Sequence, residues 1–229
     1  MAWRARLVCP TASVRSESKR AKPEGVFPQE LAPRVYRSGF NSKDSYGAHS
    51  YFVQRTEGNL LIDSPRFASE LRKFFKEAGG ISDILLSHQD DVADADKYAE
   101  DFGARVWIHK ADARAAPYAT NKFDEEVLIR EDLKAIPVPG HTRGSVVYLL
   151  EDRYLFTGDS LAWSDARKEL LAFRDACWYS WEALTESLER LQAYRFEWVL
   201  PGHGWSVQLA ADPMARELTA LVRRMKRFR

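Results

Sequence analysis

The chain has 229 residues, 45% of them hydrophobic and 12% aromatic, with 34 Lys and Arg against 33 Asp and Glu. That is ample material for the core of one large domain, which excludes a chain disordered throughout. Two cysteines, Cys9 and Cys177, exclude a disulfide framework or a Cys-rich zinc module and point to a reducing compartment; no apolar run approaches the roughly 20 residues that span a bilayer.

The formal net charge of +1 is unevenly distributed. Residues 1–22 carry Arg4, Arg6, Arg15, Lys19, Arg20 and Lys22 against Glu17 alone, and residues 216–229 carry six basic groups against Glu217, so both ends are basic and the body is acidic. Residues 1–28, rich in Ser, Arg and Lys and without periodicity, predict an N-terminal arm, disordered or a leader, ahead of one domain over 29–229. A cytoplasmic location is expected, or an organelle such as the chloroplast if residues 1–22 act as a transit peptide.

In chain order, GAHSYFVQRTEGNLLIDSP predicts a hairpin of strands 49–54 and 59–62 turning at Gly58. Ser64-Pro65 reads as an N-cap with Pro at the first helical position. Phe67, Leu71, Phe74, Phe75 and Ala78 then recur at helical spacing until Gly79-Gly80. Ile81 to Leu86 is a buried-strand run, followed by a polar turn and a helix ending at Phe102; Arg105 to His109 is another short strand. Val127 to Val138 alternates as a hairpin, and strands 146–150 and 154–157 form a clearer one around Glu151-Asp152. Ser180 caps a helix whose Trp181, Leu184, Leu188 and Leu191 form one apolar stripe. Residues 197–200 are a last strand and 212–228 a C-terminal helix. The class is α/β.

Chemistry gathers where strands end. LLSHQDD (Leu85 to Asp91), PVPGHT (Pro137 to Thr142), LFTGDS (Leu155 to Ser160) and WVLPGHG (Trp198 to Gly204) each run into a His or Asp among small or polar residues. A Gly before the His lets the side chain project from a sharp turn, as a ligand on a loop must. Imidazoles and carboxylates collected at one sheet edge suit zinc, iron or manganese. No GxSxG, P-loop or GxGxxG motif lies in a strand-to-helix context, so serine hydrolases and nucleotide-binding folds are unsupported.

Together these motifs, in this order, resemble the metallo-β-lactamase-fold hydrolase superfamily over about Ala32 to Ser206. The resemblance implies an αββα sandwich of two mixed sheets with metals at one edge. It implies that His141 completes the first metal site, that Asp159 bridges two metals, that His203 is the final ligand of the second, and that Asp63 in LLIDSP orients the metal loop. The chain departs from the family's T/S-H-x-H-x-D-H motif, offering SHQDDVADA. Two registers are open. In one, Ser87-His88 opens the motif and Asp90 replaces the second His; in the other, His88 is the second His, Asp90 the motif's Asp and Asp91 its last His. Both place His88 and Asp90 at the site, and Asp94 is a fallback. An acidic first turn that merely complements a helix dipole is the alternative reading of these carboxylates.

The implied activity is that of a metal-dependent hydrolase acting through a metal-bound hydroxide on a small ester, thioester or lactone, a thioesterase or glyoxalase II-like enzyme. Its metal set is His88, Asp90, Asp91, His141, Asp159 and His203, with Asp90 also the catalytic candidate and zinc the first expectation, ahead of iron or manganese. The alternatives are a mononuclear iron oxidoreductase of the same fold and a degenerate, non-catalytic binding module. His49 and His109 read as structural, His49 with some claim on the pocket, and Cys177 as an ordinary buried thiol. The segment LAWSDARKELLAFRDACWYSW offers Trp163, Phe173, Trp178 and Tyr179 with Arg167 and Arg174, which suits a small-molecule substrate with an anionic end. The acidic body argues against nucleic acid, and no membrane partner is expected.

Overall fold

The computed structural model describes residues 27–227, so all of the expected N-terminal arm but its last two residues lies outside the described residues. Among the described residues the buried strands obey period two. Tyr51 and Val53 face one way while Phe52 faces the other, and Leu60 and Ile62 oppose Leu61 in the same manner, because each strand is covered on both sides.

The first sheet runs in chain order: β1 (Gln29–Ala32), β2 (Val35–Arg37), β3 (Tyr51–Val53), β4 (Leu60–Ile62), β5 (Asp83–Leu85), β6 (Arg105–His109) and β7 (Asn121–Phe123). Its first four strands pair antiparallel and β4 to β7 pair parallel, so the sheet is mixed. The parallel half needs crossovers, supplied in part by α1 (Ser69–Glu77) and α2 (Ala95–Phe102). The second sheet is ordered β15 (Val207–Gln208), β14 (Trp198–Pro201), β11 (Tyr154–Gly158), β10 (Val146–Leu150), β9 (Leu133–Pro137), β8 (Val127–Arg130). Only β11 and β14 pair parallel there, joined through α3 (Trp181–Leu191). A small hairpin, β12 (Ala162–Ser164) with β13 (Glu169–Leu171), lies between, and α4 (Ala211–Lys226) closes the chain.

Three apolar layers hold these elements. Tyr51, Val53, Leu60 and Ile62 of one sheet meet Leu133, Val146, Tyr148 and Phe156 of the other in the middle. Phe52, Leu61, Ile84 and Val106 pack on Leu71, Phe75 and Tyr98 of the first helix pair. Val147, Leu149, Leu155 and Val199 pack on Leu184, Leu188, Leu218 and Val222 of the second. The result is the expected αββα sandwich of two mixed sheets. No described helix is long and apolar enough to cross a membrane.

Three expectations shift. The helix read from Ser64-Pro65 begins at Ser69, with Ala68 before it making no side-chain cap. Residues 64–68 instead bond sideways: Arg66 N donates to Phe40 O, Phe67 N to Asp94 Oδ2 at 2.7 Å, and Tyr98 Oη to Arg66 O. Strands of two to four residues, β1, β2, β7, β12, β13 and β15, were too short to show a period. Of the basic C-terminal run, Arg223, Arg224 and Lys226 lie in the last turn of α4, where cations complement the helix dipole; Arg224 pairs with Glu169 and Lys226 with Glu189.

Candidate metal centre

Every site residue hangs from the end of a strand on one edge of the sandwich. β4 delivers Asp63, whose left-handed backbone (φ 53°) turns its carboxylate back to accept Ser87 N at 2.7 Å. β5 delivers Ser87 and His88. His88 is fully buried and its Nδ1 meets Ser87 Oγ at 2.8 Å, so Nε2 is left toward Asp90 and Asp159. Val146 N donates to Ser87 O and Tyr148 Oη to Leu86 O, tying this loop to the second sheet. Gly158 makes room for it: a Cβ there would lie 2.4 Å from Ser87 Oγ, on a backbone with φ 47°.

His141 lies on the turn between β9 and β10. Its Nδ1 donates to Ala176 O at 2.5 Å, which leaves Nε2 on the side of Asp90 and Asp159. The two rings meet edge to face with centroids 4.6 Å apart. Asp159 follows β11, and His203 follows β14 with Nδ1 2.8 and 3.0 Å from the two Asp159 oxygens and Nε2 3.3 Å from Tyr46 O.

His88, His141 and Asp159 offer ligand atoms that all lie within 4.8 Å of one another. Asp159 Oδ2 is 3.9 Å from His88 Nε2 and 3.8 Å from His141 Nε2. Asp90 Oδ2 joins them, 4.0 Å from His88 Nε2 and 3.4 Å from His141 Nε2. Two atoms bound to one tetrahedral ion at about 2.1 Å lie about 3.4 Å apart, so these four imidazole–carboxylate separations, 3.4 to 4.0 Å, are near those an ion would set. His88 Nε2, His141 Nε2 and both Asp91 oxygens are buried with no hydrogen-bond partner. Orphaned lone pairs of this kind are costly in an interior unless a cation meets them. The donor set fits a divalent ion.

The charges agree. Burial pushes the His88 pKa down, keeping its ring neutral and able to donate a lone pair. Burial alone would do the same to His141, but Asp90, Asp159 and the Ala176 carbonyl outweigh it and raise the value. Burial would likewise raise Asp159, yet His203 and the imidazoles of His88 and His141 hold it at about 2. The His141 imidazole, 3.4 Å away, holds Asp90 below the usual carboxylate range. Asp91 goes the other way, raised well above that range by burial and then by Asp159, Asp63 and Asp90. A Cβ on Gly202 would lie 2.8 Å from Asp159 Oδ1 and 2.9 Å from Asp91 Oδ2, so the bare glycine is what allows these two carboxylates to share one space.

Other predicted residues fall outside the cluster. Asp94, the fallback, spends its oxygens on Phe67 N and Lys97 Nζ, because it must secure the bent segment before α1. His49 is buried at the rim, bonded through its amide to Gly202 O and through Nδ1 to Asn41 Nδ2. His109 accepts Ala111 N with Nδ1 and caps a short 3-10 turn at Lys110–Asp112. The Cys177 thiol donates to Gly140 O, and burial raises its pKa, the opposite of an activated nucleophile. Arg167 lies beside Glu169 and Arg174 stacks on Trp181 in a groove shared with Arg224, so both are committed to a face built by β13 and α4. Trp178 does stand by the cluster, its ring 6.3 Å from that of His141. Sequence reasoning missed Asp112, a buried carboxylate that accepts Gln89 N at 3.0 Å, Thr142 Oγ1 at 2.6 Å and Gly144 N at 3.0 Å. Its signal was faint: a His followed three residues later by an Asp, just past a strand.

A sandwich of two mixed sheets with imidazole and carboxylate ligands at one edge defines a class of metal-site folds, and the comparisons agree with it. The family profile described as metallo-beta-lactamase superfamily matches residues 31–222, and the chain belongs to that superfamily. Among curated relatives, the hydroxyacylglutathione hydrolase of Fuscovulum blasticum is 35% identical over 107 residues, 44% of this chain and 42% of that protein. That of Cereibacter sphaeroides (strain ATCC 17029 / ATH 2.4.9) is 31% identical over 131 residues, 55% of this chain and 51% of its own length. The chain thus spans about half the length of these relatives. Among solved structures, TTHA1623 in a di-iron-bound form superposes with a TM-score of 0.59 at 25% identity, covering 84% of this chain and 98% of that one. VMB-1 gives 0.64 at 17% identity over 86% and 95%.

Proposed function

We propose that the chain is a metal-dependent hydrolase of a small thioester, or of a related ester or lactone. The observation that carries this reading is the pair of buried, unpartnered nitrogens, His88 Nε2 and His141 Nε2, converging on the carboxylates of Asp90 and Asp159. The relatives named hydroxyacylglutathione hydrolase support thioester chemistry.

In this reading His88, Asp90, His141 and Asp159 hold one ion, and Asp91, Asp159 and His203 offer a second set. That division takes Asp90 on the first ion from the register in which Ser87-His88 opens the motif, and Asp91 on the second from the other register. Zinc, iron and manganese all suit a mixture of imidazole and carboxylate donors, and the di-iron form of TTHA1623 supports iron as well as zinc. A bound divalent ion supplies Lewis acidity that polarises a carbonyl and makes water a stronger acid. The chain's own residues do the rest. Ser87 Oγ and Ala176 O fix which nitrogen of each imidazole points inward. Asp90, held ionised, fits a holding carboxylate better than a proton acceptor, since its low pKa makes it a weak base. Around the mouth Tyr46, Trp178, Tyr179 and Trp205 expose their rings, flat apolar surfaces for an acyl or leaving group.

The test is hydrolysis by the metal-reconstituted chain of a panel of acyl thioesters, aryl esters and lactones, read by thiol or acid release. Turnover of thioesters that disappears on chelation and in His141→Ala is expected; no turnover of any class by a metal-loaded protein would remove the hydrolase reading.

A further inference from the structure

His88 has a buried carboxylate on either side of it. Asp63, from the end of β4, accepts the amide of Ser87; Asp112, from the turn after β6, accepts the amide of Gln89. Between these two fixed amides His88 is stretched into fully extended backbone (φ −169°, ψ 178°) before the chain enters the short turn that carries Asp90 and Asp91. Asp63 stops there. Asp112 continues across to the other ligand loop, its Oδ2 also accepting Thr142 Oγ1 and its Oδ1 accepting Gly144 N, the two residues that bracket Arg143 just after His141.

Both oxygens of Asp112 are thus spent on N–H and O–H donors from two loops that belong to different sheets, at 2.6 to 3.0 Å and almost without solvent. A carboxylate is the side chain that suits this, because it presents acceptors only and no donor of its own. The surroundings are shaped to it. A Cβ on Gly144 would lie 2.5 Å from Asp112 Cγ, so the glycine admits the carboxylate. His109, capping the turn at Ala111 N and bonding Asp124 O through Nε2, holds the segment that presents it.

We propose that Asp112 is the positioning residue of the metal centre: by clamping the His88–Asp91 turn to the His141–Gly144 turn, it sets the separation of the two imidazoles that face one ion. It touches no ligand atom itself and acts through Gln89, Thr142 and Gly144. The inference rests on the metal-centre reading above, and its failure is distinguishable from failure of that reading.

The experiment compares full-length wild type, Asp112→Asn and Thr142→Val by zinc-affinity titration against a chromogenic chelator and by the visible absorption of the cobalt-loaded proteins. An amide in place of the carboxylate turns a donor on Gln89 N–H or Gly144 N–H, neither of which can reverse. Zinc affinity should fall by about 10- to 100-fold, with a changed cobalt band position that a mere loss of fold stability would not produce. Thr142→Val removes one of the three bonds and should give a smaller change of the same sign; it decides the matter if Asp112→Asn does not fold. Wild-type affinity and an unchanged cobalt spectrum in whichever variant folds would overturn the proposal. Absence of metal binding by wild type would instead overturn the reading on which it rests.

Discussion

Asp91 and His49, buried within a few residues of the centre, make the metal-free protein respond to pH in opposite directions. Burial and the neighbouring carboxylates hold the Asp91 pKa well above its ordinary value of 3.8. A raised folded pKa stabilises fully below the unfolded value and loses that contribution as pH rises through the folded one. In the presence of a chelator, Asp91→Asn should therefore gain stability relative to wild type as pH climbs above about 4. His49 is pushed down to about 3 by burial, with Arg37 and His203 adding to it. Its contribution is present above 6.5 and fades as pH falls toward 3, so wild type should lose up to about 1.4 kcal/mol per pH unit relative to His49→Gln below 6.5. Denaturant unfolding of the three proteins from pH 4 to 8 checks both slopes; parallel curves would contradict them. Residue by residue, the sequence made His141, Asp159 and His203 readable because each follows a strand and a Gly. Asp112 was not readable, because its partners Gln89, Thr142 and Gly144 lie tens of residues away in the chain.

At the scale of elements, the site is only as firm as the layers behind it. Phe75, fully buried on α1, packs on Phe52, Tyr98 and Phe102 with ring centroids 4.8, 5.7 and 6.3 Å apart, and so presses the helix layer onto β3, which leads out of the His49 loop. Phe75→Ala should cost about 3–5 kcal/mol of unfolding free energy, measured by chemical denaturation. The apolar stripe of α1 was legible at helical spacing, and so were the hairpin of β10 with β11 and the capped start of α3, where Ser180 Oγ accepts Ala183 N. The start of α1 was not. Ser64-Pro65 satisfies the local rules for a helix entry, but Phe40, Asp94 and Tyr98 compete for the backbone groups of residues 66–68 and win. Strands β1, β2, β7, β12, β13 and β15 carry too few side chains to declare a period, and only their neighbours make them strands.

For the whole molecule, the ligands come from the ends of β5, β9, β11 and β14, in two sheets, and meet only in the folded chain. Metal binding and folding are therefore coupled. At an ion concentration about 100 times Kd the folded state should gain about 2.7 kcal/mol, read as a rise in melting temperature that a chelator reverses. The sandwich and the four motifs were legible together because each strand end announces itself. The first motif, where carboxylates stand among the ligands, needed the geometry to show which atoms share a centre. The most direct measurement is elemental analysis of the purified chain and of His141→Ala, each reloaded with zinc, iron or manganese and freed of excess ion. About one ion or more per wild-type chain, with a clear loss in the variant, is the predicted result. Metal at trace level in wild type, or equal metal in both proteins, would contradict the assignment of this cluster as a metal centre.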